Sequence, residues 1–299
     1  MRRPVVKSAS RTLEVLELFS EQRRPLRLHE IYEQLHYPQS SATNLMKSMV
    51  MMGYLNYNRA TRTYIPTNKV GSLGNWLSSF MYGQSGYHEL VNSLQKRTDE
   101  TVALSTQNDL FIQYMIIKTP QHEFKMPPGE GSMRLLTKST SGMALLSRMS
   151  NRQVDKICRH INYYELGPEN RVEITQVLKD LVWIRQIGYS YTENYPTPEV
   201  SSMAFPLGES LYGIPLALGV GGLSDRIARR KMQIVATIRE TIAEFKEKYA
   251  DRCVSEFTGA LMPCGPTAAS SAPEAPPPLS VAAQMPSAAD SNGEQSPVC

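Results

Sequence analysis

The most informative feature of this 299-residue sequence is an absence: no carboxylate occurs between Glu33 and Glu89, although Lys47, Arg59, Arg62 and Lys69 all fall in that window. A surface that excludes acids and keeps cations suits an anionic partner, with nucleic acid the first candidate. Cysteine is scarce and scattered, at 158, 253, 264 and 299, without a Cys-x-x-Cys pair. That excludes a disulfide framework or a zinc knuckle, and reduced thiols with no shared task are expected. No apolar run approaches the ~18 residues that cross a bilayer. The longest, from Tyr212 to Leu223, is interrupted, and no signal-peptide pattern follows the basic N-terminus. A soluble cytoplasmic protein with no membrane partner is expected.

Enzyme signatures are missing too. There is no Gly-x-x-x-x-Gly-Lys-Ser/Thr, no His-Glu-x-x-His and no Gly-x-Ser-x-Gly, and His29, His36, His88, His122 and His160 stand apart. No catalytic residue, metal site or cofactor is expected. Lys and Arg end at Arg252 and aromatics at Phe257. The Ala/Ser/Pro-rich remainder, 253–299, cannot bury enough apolar surface to offset its ordering entropy and reads as a disordered tail.

What is present is unevenly charged. The first 75 residues carry eleven Lys and Arg against five Glu, whereas the whole chain is only +4. A basic module on a mildly acidic body follows. In that module Leu13, Leu16, Leu18 and Phe19, then Leu28, Ile31, Tyr32 and Leu35, recur at helical spacing. A third helix is expected from Ser40, its N-cap after Pro38, to a stop at Gly53. At 100° per residue, Ala42, Leu45, Met46, Met49, Val50 and Met52 share a packing side. Ser41, Thr43, Asn44, Lys47, Ser48 and Met51 share the other. Residues 54–57 and 62–66, with Asn58-Arg59-Ala60-Thr61 between them, read as a β-hairpin.

Three helices and a basic hairpin make a winged helix-turn-helix, expected at 1–72, whose third helix enters the major groove of double-stranded DNA. Ser40, Ser41 and Thr43 suit phosphate or base contacts, and Asn44 suits bidentate pairing with adenine. Ser48 lies on the same arc. Lys47, Arg59, Arg62 and the Arg2-Arg3 arm suit phosphate neutralisation.

A helical linker is expected at 73–92, and 93–252 alternates strand-like and helical patterns with clustered strands. That order favours an α+β domain with an antiparallel sheet over a doubly wound one. The Gly219-Val220-Gly221-Gly222 run reads either as an anion-holding loop at a helix N-terminus or as a tight strand-to-helix connection.

Several segments resemble the IclR (isocitrate lyase regulator) family of transcription factors. They are Ser10-Arg11-Thr12-Leu13-Glu14-Val15-Leu16-Glu17-Leu18-Phe19, Leu28-His29-Glu30-Ile31, Pro38-Gln39-Ser40-Ser41-Ala42-Thr43 and Met52-Gly53-Tyr54-Leu55. Thr137 to Leu146, with Ser141-Gly142, and Gly188-Tyr189 through Met203-Ala204-Phe205-Pro206-Leu207 continue the match over about residues 5 to 250. The resemblance implies a GAF-like effector domain that binds a small metabolite, and a carboxylic acid is the metabolite expected. It also implies a homodimer or homotetramer on a palindromic operator.

The effector site so implied takes in Leu136, Thr137 and Ser141, then Thr192, Ser202, Gly219 and Gly221. Thr192 stands where the family has an Asp, Ser202 where it has Cys or Ser, and Gly219 and Gly221 where it has two serines. Thr137 replaces a His. Arg134 and Lys138 are unusual cations that either face solvent or form a displaced carboxylate site, with room from Gly219 and Gly221 for a bulkier, aromatic acid. A ligand-independent DNA-binding regulator is the alternative reading, and a small-molecule enzyme with an N-terminal interaction module is a further one.

Overall fold

The computed structural model describes residues 5–81, 86–121, 128–209 and 213–254. The Arg2-Arg3 arm, residues 82–85 of the expected linker and the tail from 255 onward lie outside the described residues. The chain divides into two compact units, Arg2–Ser85 and the residues from Gly86 onward.

The first unit runs α1 (Lys7–Gln22), β1 (Leu26–Arg27), α2 (Leu28–Gln34), α3 (Gln39–Met51), β2 (Leu55–Asn58), β3 (Thr63–Pro66) and α4 (Asn68–Met81). Apolar residues three and four apart give α1 and α3 one buried stripe each. Val15, Leu18 and Phe19 of α1 meet Ile31 of α2 and Met46 and Met49 of α3, closed below by Leu26, Leu55 and Tyr64. The strands form an antiparallel sheet in the order β1-β3-β2, with Leu55 opposite Pro66 and Asn58 opposite Thr63. Its tip is an Asx turn in which Asn58 Oδ1 accepts from the amides of Ala60 and Thr61, at 2.9 and 3.3 Å.

Helix α3 begins two residues earlier than expected. Pro38, at φ −59° and ψ 132°, takes the cap position and supplies no side-chain bond, so Ser40 lies inside the helix rather than capping it. The other end is tightly tied. Gly53 at φ +77° reverses the chain, and the Gly53 and Tyr54 amides donate to the Val50 and Met49 carbonyls, each at 2.9 Å. Lys69 Nζ donates to the Met52 carbonyl at 2.8 Å and Thr67 Oγ1 to that of Gly53 at 2.6 Å. The residues after the wing thus fasten the helix end to it.

The second unit runs α5 (Tyr87–Thr98), β4 (Thr101–Asn108), β5 (Phe111–Lys118), β6 (Met133–Leu135), α6 (Thr140–Leu146), α7 (Asn151–Tyr164), α8 (Ile174–Ile187), β7 (Ser190–Thr192), β8 (Val200–Glu209), β9 (Pro215–Leu223) and α9 (Ser224–Val254). Its six strands pair antiparallel throughout, in the order β6-β5-β4-β9-β8-β7. The Gly219 to Gly222 run is part of β9 and leads straight into α9, so it is a strand-to-helix connection and not a loop.

Alternation along β9 sorts the helices between the two faces. A Cβ on Gly219 would sit 3.3 Å from Ser141 Oγ of α6, whereas one on Gly222 would sit 2.2 Å from the Glu100 carboxylate, which Arg226 of α9 grips. On the first face α6, α7 and α8 bury Met143, Leu146, Val154, Ile161, Val177 and Leu181 together. On the second, α5 packs along α9, with Tyr87 stacked on Phe245 at 5.5 Å and Arg97 donating to Thr241 at 3.0 Å. Residues 87–92, expected in the linker, therefore belong to this packed face.

Candidate functional site

The exposed arc of α3 is the first site. Asn44, Lys47 and Ser48 are exposed, as is Ser40, while Ala42, Met46 and Met49 are buried. Met52 departs from its expected packing side and is 60% exposed. It occupies the C-cap, where the chain leaves the helix and its packing phase. Two hydroxyls of the arc are turned inward: Thr43 Oγ1 donates to the Gln39 carbonyl at 2.8 Å and Ser48 Oγ to that of Asn44 at 2.9 Å. Ser41 is half-buried and accepts from Arg11 Nη1 of α1 at 2.7 Å. Asn44 and Lys47 are left as the open polar side chains of the arc. Arg59 and Arg62 are exposed at the hairpin tip.

The second site is a cavity of about 140 Å³ between the sheet and the start of α6. Its floor follows from strand register. Thr101, Gly221, Ser202 and Thr192 form one row across β4, β9, β8 and β7, and Ala103, Gly219, Ala204 and Ser190 form the next. Of these, Thr101, Ala103, Ser202, Gly219 and Gly221 line the cavity, and such small residues on β4, β9 and β8 leave a hollow that larger side chains would fill. Ser139, Thr140 and Ser141 enter from α6 and the residue before it, Tyr114 and Arg134 from β5 and β6, and Tyr195 from the loop after β7.

Three hydroxyls interlock at one side. Thr140 Oγ1 lies 2.6 Å from both Thr192 Oγ1 and Ser202 Oγ, and the last two are 3.0 Å apart. At the other side stands Arg134. Among the described residues no acidic side chain lines the cavity and no carboxylate pairs with Arg134. Burial raises the Tyr114 and Tyr195 hydroxyl pKa values above the usual tyrosine range, and the Arg134 charge opposes that rise in both. The guanidinium is therefore within electrostatic reach of both rings.

Of the residues expected here, Arg134, Ser141, Ser202, Gly219 and Gly221 line the cavity. Leu136, Thr137, Lys138 and Thr192 do not. Residues 134, 136 and 138 share a face only if the strand continues. It ends at Leu135, and a helical turn over Leu136–Lys138 sends Leu136 into the core beneath α6 and α7. Thr137 is buried with no hydrogen-bond partner for its hydroxyl among the described residues. Lys138 is half-exposed. Thr192 stands behind the wall, holding Thr140 and Ser202. The reading of the sequence missed Tyr114, Tyr195, Thr140 and the β4 residues Thr101 and Ala103. Only β4's register against the two glycines of β9 would have found the last pair.

Among the described residues there is no cluster of three His, Cys, Asp or Glu side chains suited to a metal ion, and no helix long and apolar enough to cross a membrane.

A winged helix-turn-helix with an acid-free exposed arc, in one chain with a hollow antiparallel-sheet unit, defines a class of DNA-binding regulators. Residues 8–59 match the IclR helix-turn-helix domain, and residues 85–245 match the C-terminal domain of the bacterial transcriptional regulator IclR. The chain belongs to the IclR family of DNA-binding transcriptional regulators. It is 25% identical over 202 residues to the transcriptional repressor IclR of Escherichia coli K12, covering 63% of this chain and 69% of that one. It is 20% identical over 228 residues to the regulator XynR of the same strain, covering 75% and 89%.

Among solved structures, IclR of Thermotoga maritima matches with a TM-score of 0.64 at 17% identity, over 81% of this chain and 98% of that one. An IclR homologue from Microbacterium hydrocarbonoxydans, solved in complex with 4-hydroxybenzoate, matches with a TM-score of 0.60 at 15% identity, over 82% and 99%. At these identities the structural likeness concerns the fold.

Proposed function

We propose that this regulator binds a palindromic operator as a homodimer or homotetramer in the cytoplasm, and that a small carboxylic acid in the C-terminal cavity sets its affinity for DNA. The observation that carries this reading is Arg134: a cation at a cavity wall with no acid beside it among the described residues suits an anion brought from outside. Tyr114 and Tyr195 flank it, and the Ser141 and Ser202 hydroxyls offer hydrogen bonds to a second polar group. An aromatic acid fits this combination, and 4-hydroxybenzoate, seen in the Microbacterium hydrocarbonoxydans homologue, is a probe of that chemistry. Lys138 is left out of the carboxylate site. Residues 1–72 serve as the DNA-binding domain and 73–92 as the linker, whose last six residues lie in α5 and pack on the effector domain, 93–252.

The mechanism needs only differential binding. A ligand that prefers one arrangement of the assembled sensor domains shifts the population toward it, and operator affinity changes by the same coupling free energy. Calorimetric titration of the full-length protein with 4-hydroxybenzoate, benzoate and short aliphatic monocarboxylates tests the site. Binding of at least one acid, weakened about tenfold or more in Arg134→Ala, is expected for a charge-assisted hydrogen bond. Equal binding by the variant would overturn the assignment of Arg134.

A further inference from the structure

The side chains around Ser41 point beyond that reading. Arg11 lies one helix away, on α1, and its guanidinium donates to Ser41 Oγ at 2.7 Å while lying over the Tyr37 ring, 4.7 Å from its centroid. Two contacts in different directions, one edge-on and one to the face, fix the plane of a group that otherwise has large rotamer freedom. A guanidinium has five N–H donors, and Ser41 takes one. It is held beside the first turn of the recognition helix, which in helix-turn-helix proteins sits against the duplex.

Glu14 is three residues along α1 from Arg11 and sits where it would pair with it. It does not: the Tyr37 hydroxyl donates to the Glu14 carboxylate instead, and among the described residues Arg11 and Glu14 form no ion pair. Tyr37 therefore has two tasks, stacking under the cation and occupying the acid that would neutralise it.

We infer that Arg11 is a DNA phosphate contact, and that Ser41 and Tyr37 are positioning residues acting through it. Ser41 acts by orienting the guanidinium, and Tyr37 by keeping Glu14 from it. On this inference Ser41, expected to touch DNA itself, acts through Arg11 instead.

The test uses the full-length protein and a labelled duplex that it has selected from a random-sequence pool, with affinity followed across salt concentrations. Arg11→Ala is expected to weaken binding about tenfold and to reduce the salt slope by about one, without changing base preference. Ser41→Ala weakens binding less, and the Arg11→Ala/Ser41→Ala double variant binds no worse than Arg11→Ala alone. Tyr37→Phe keeps the ring but frees Glu14, so it weakens binding, and adding Glu14→Gln restores it. Arg11→Lys, the milder change should Arg11→Ala fail to fold, keeps the salt slope but loses the dependence on Ser41. Additive losses in the Arg11/Ser41 double variant would show that Ser41 contacts DNA independently. An unchanged salt slope in Arg11→Ala, or no rescue of Tyr37→Phe by Glu14→Gln, would equally overturn the inference.

Discussion

The Thr140 hydroxyl at the start of α6 lies 2.6 Å from that of Ser202 on β8, joining the helix to the sheet at the edge of the cavity. Thr192 completes the cluster from behind the wall. The cavity is thus held open by hydrogen bonds between its own walls, on a floor of glycine and alanine.

That floor gives a size-based prediction. A Cβ on Gly219 would sit 3.3 Å from Ser141 Oγ, and one on Gly221 would sit 3.4 Å from Ser202 Cβ. Both glycines line the cavity. Gly221→Ala should therefore fold normally, as judged by its melting curve, yet bind the ligand about tenfold or more weakly, the scale of one misplaced carbon in a fitted pocket. Gly142→Ala contrasts with it. There the Cβ would lie 2.1 Å from the Leu136 carbonyl oxygen, backbone that cannot step aside, so unfolding of the second unit is expected at much lower temperature.

The buried ion cluster behind the sheet should matter for stability. Glu100 is fully buried, and both its oxygens are bonded by Arg226, each at 2.6 Å, with Arg230 at 3.5 Å. Removing the nearer partner leaves a buried carboxylate with one distant cation. Arg226→Ala should cost about 3 kcal/mol in urea-induced unfolding.

Cys158 supplies a pH test. Burial, with a smaller contribution from Asp155, pushes its thiol up to about 11. In the unfolded chain the thiol ionises near its ordinary ~8.5. Because the folded value is the higher one, the contribution to stability is complete below about pH 8.5 and falls as pH rises toward the folded value. With the other three cysteines replaced by serine, an aromatic disulfide reagent at pH 8 should label Cys158 only after denaturation. Cys158→Ala should flatten the loss of stability between about pH 8.5 and 10.

Two substitutions separate reading from anchoring at the DNA site. Asn44→Ala should lose ~1 to 3 kcal/mol of discrimination at one base pair. Arg59→Ala should weaken binding to all sequences alike and flatten the salt slope. Affinities for a set of single-base operator variants distinguish the two.

Much of this was legible in the sequence because it is written in local periodicity. The buried stripe of Ala42, Met46 and Met49, the hairpin around Arg59 and the antiparallel strands all follow from spacing within a few residues. The errors fall where one residue's place depends on a distant one. Ser41 reads as a free hydroxyl until Arg11, thirty residues away, is brought onto it. Leu136 and Lys138 read as companions of Arg134 until the strand is seen to end between them. Tyr114 and Tyr195 carry no spacing signal, since only the sheet order brings β5 and the loop after β7 to one cavity.

The central claim is that an acid held at Arg134 sets operator affinity. The most direct measurement is fluorescence anisotropy of a selected operator duplex titrated with full-length protein, with and without saturating 4-hydroxybenzoate or the tightest-binding acid of the calorimetric panel. The account predicts a shift of about fivefold or more for the wild-type chain, the usual scale of allosteric coupling, and a smaller one for Arg134→Ala at the same acid concentration, with its acid-free affinity unchanged. An equal shift in Arg134→Ala, or no shift in the wild-type chain with any acid of the panel, would contradict it.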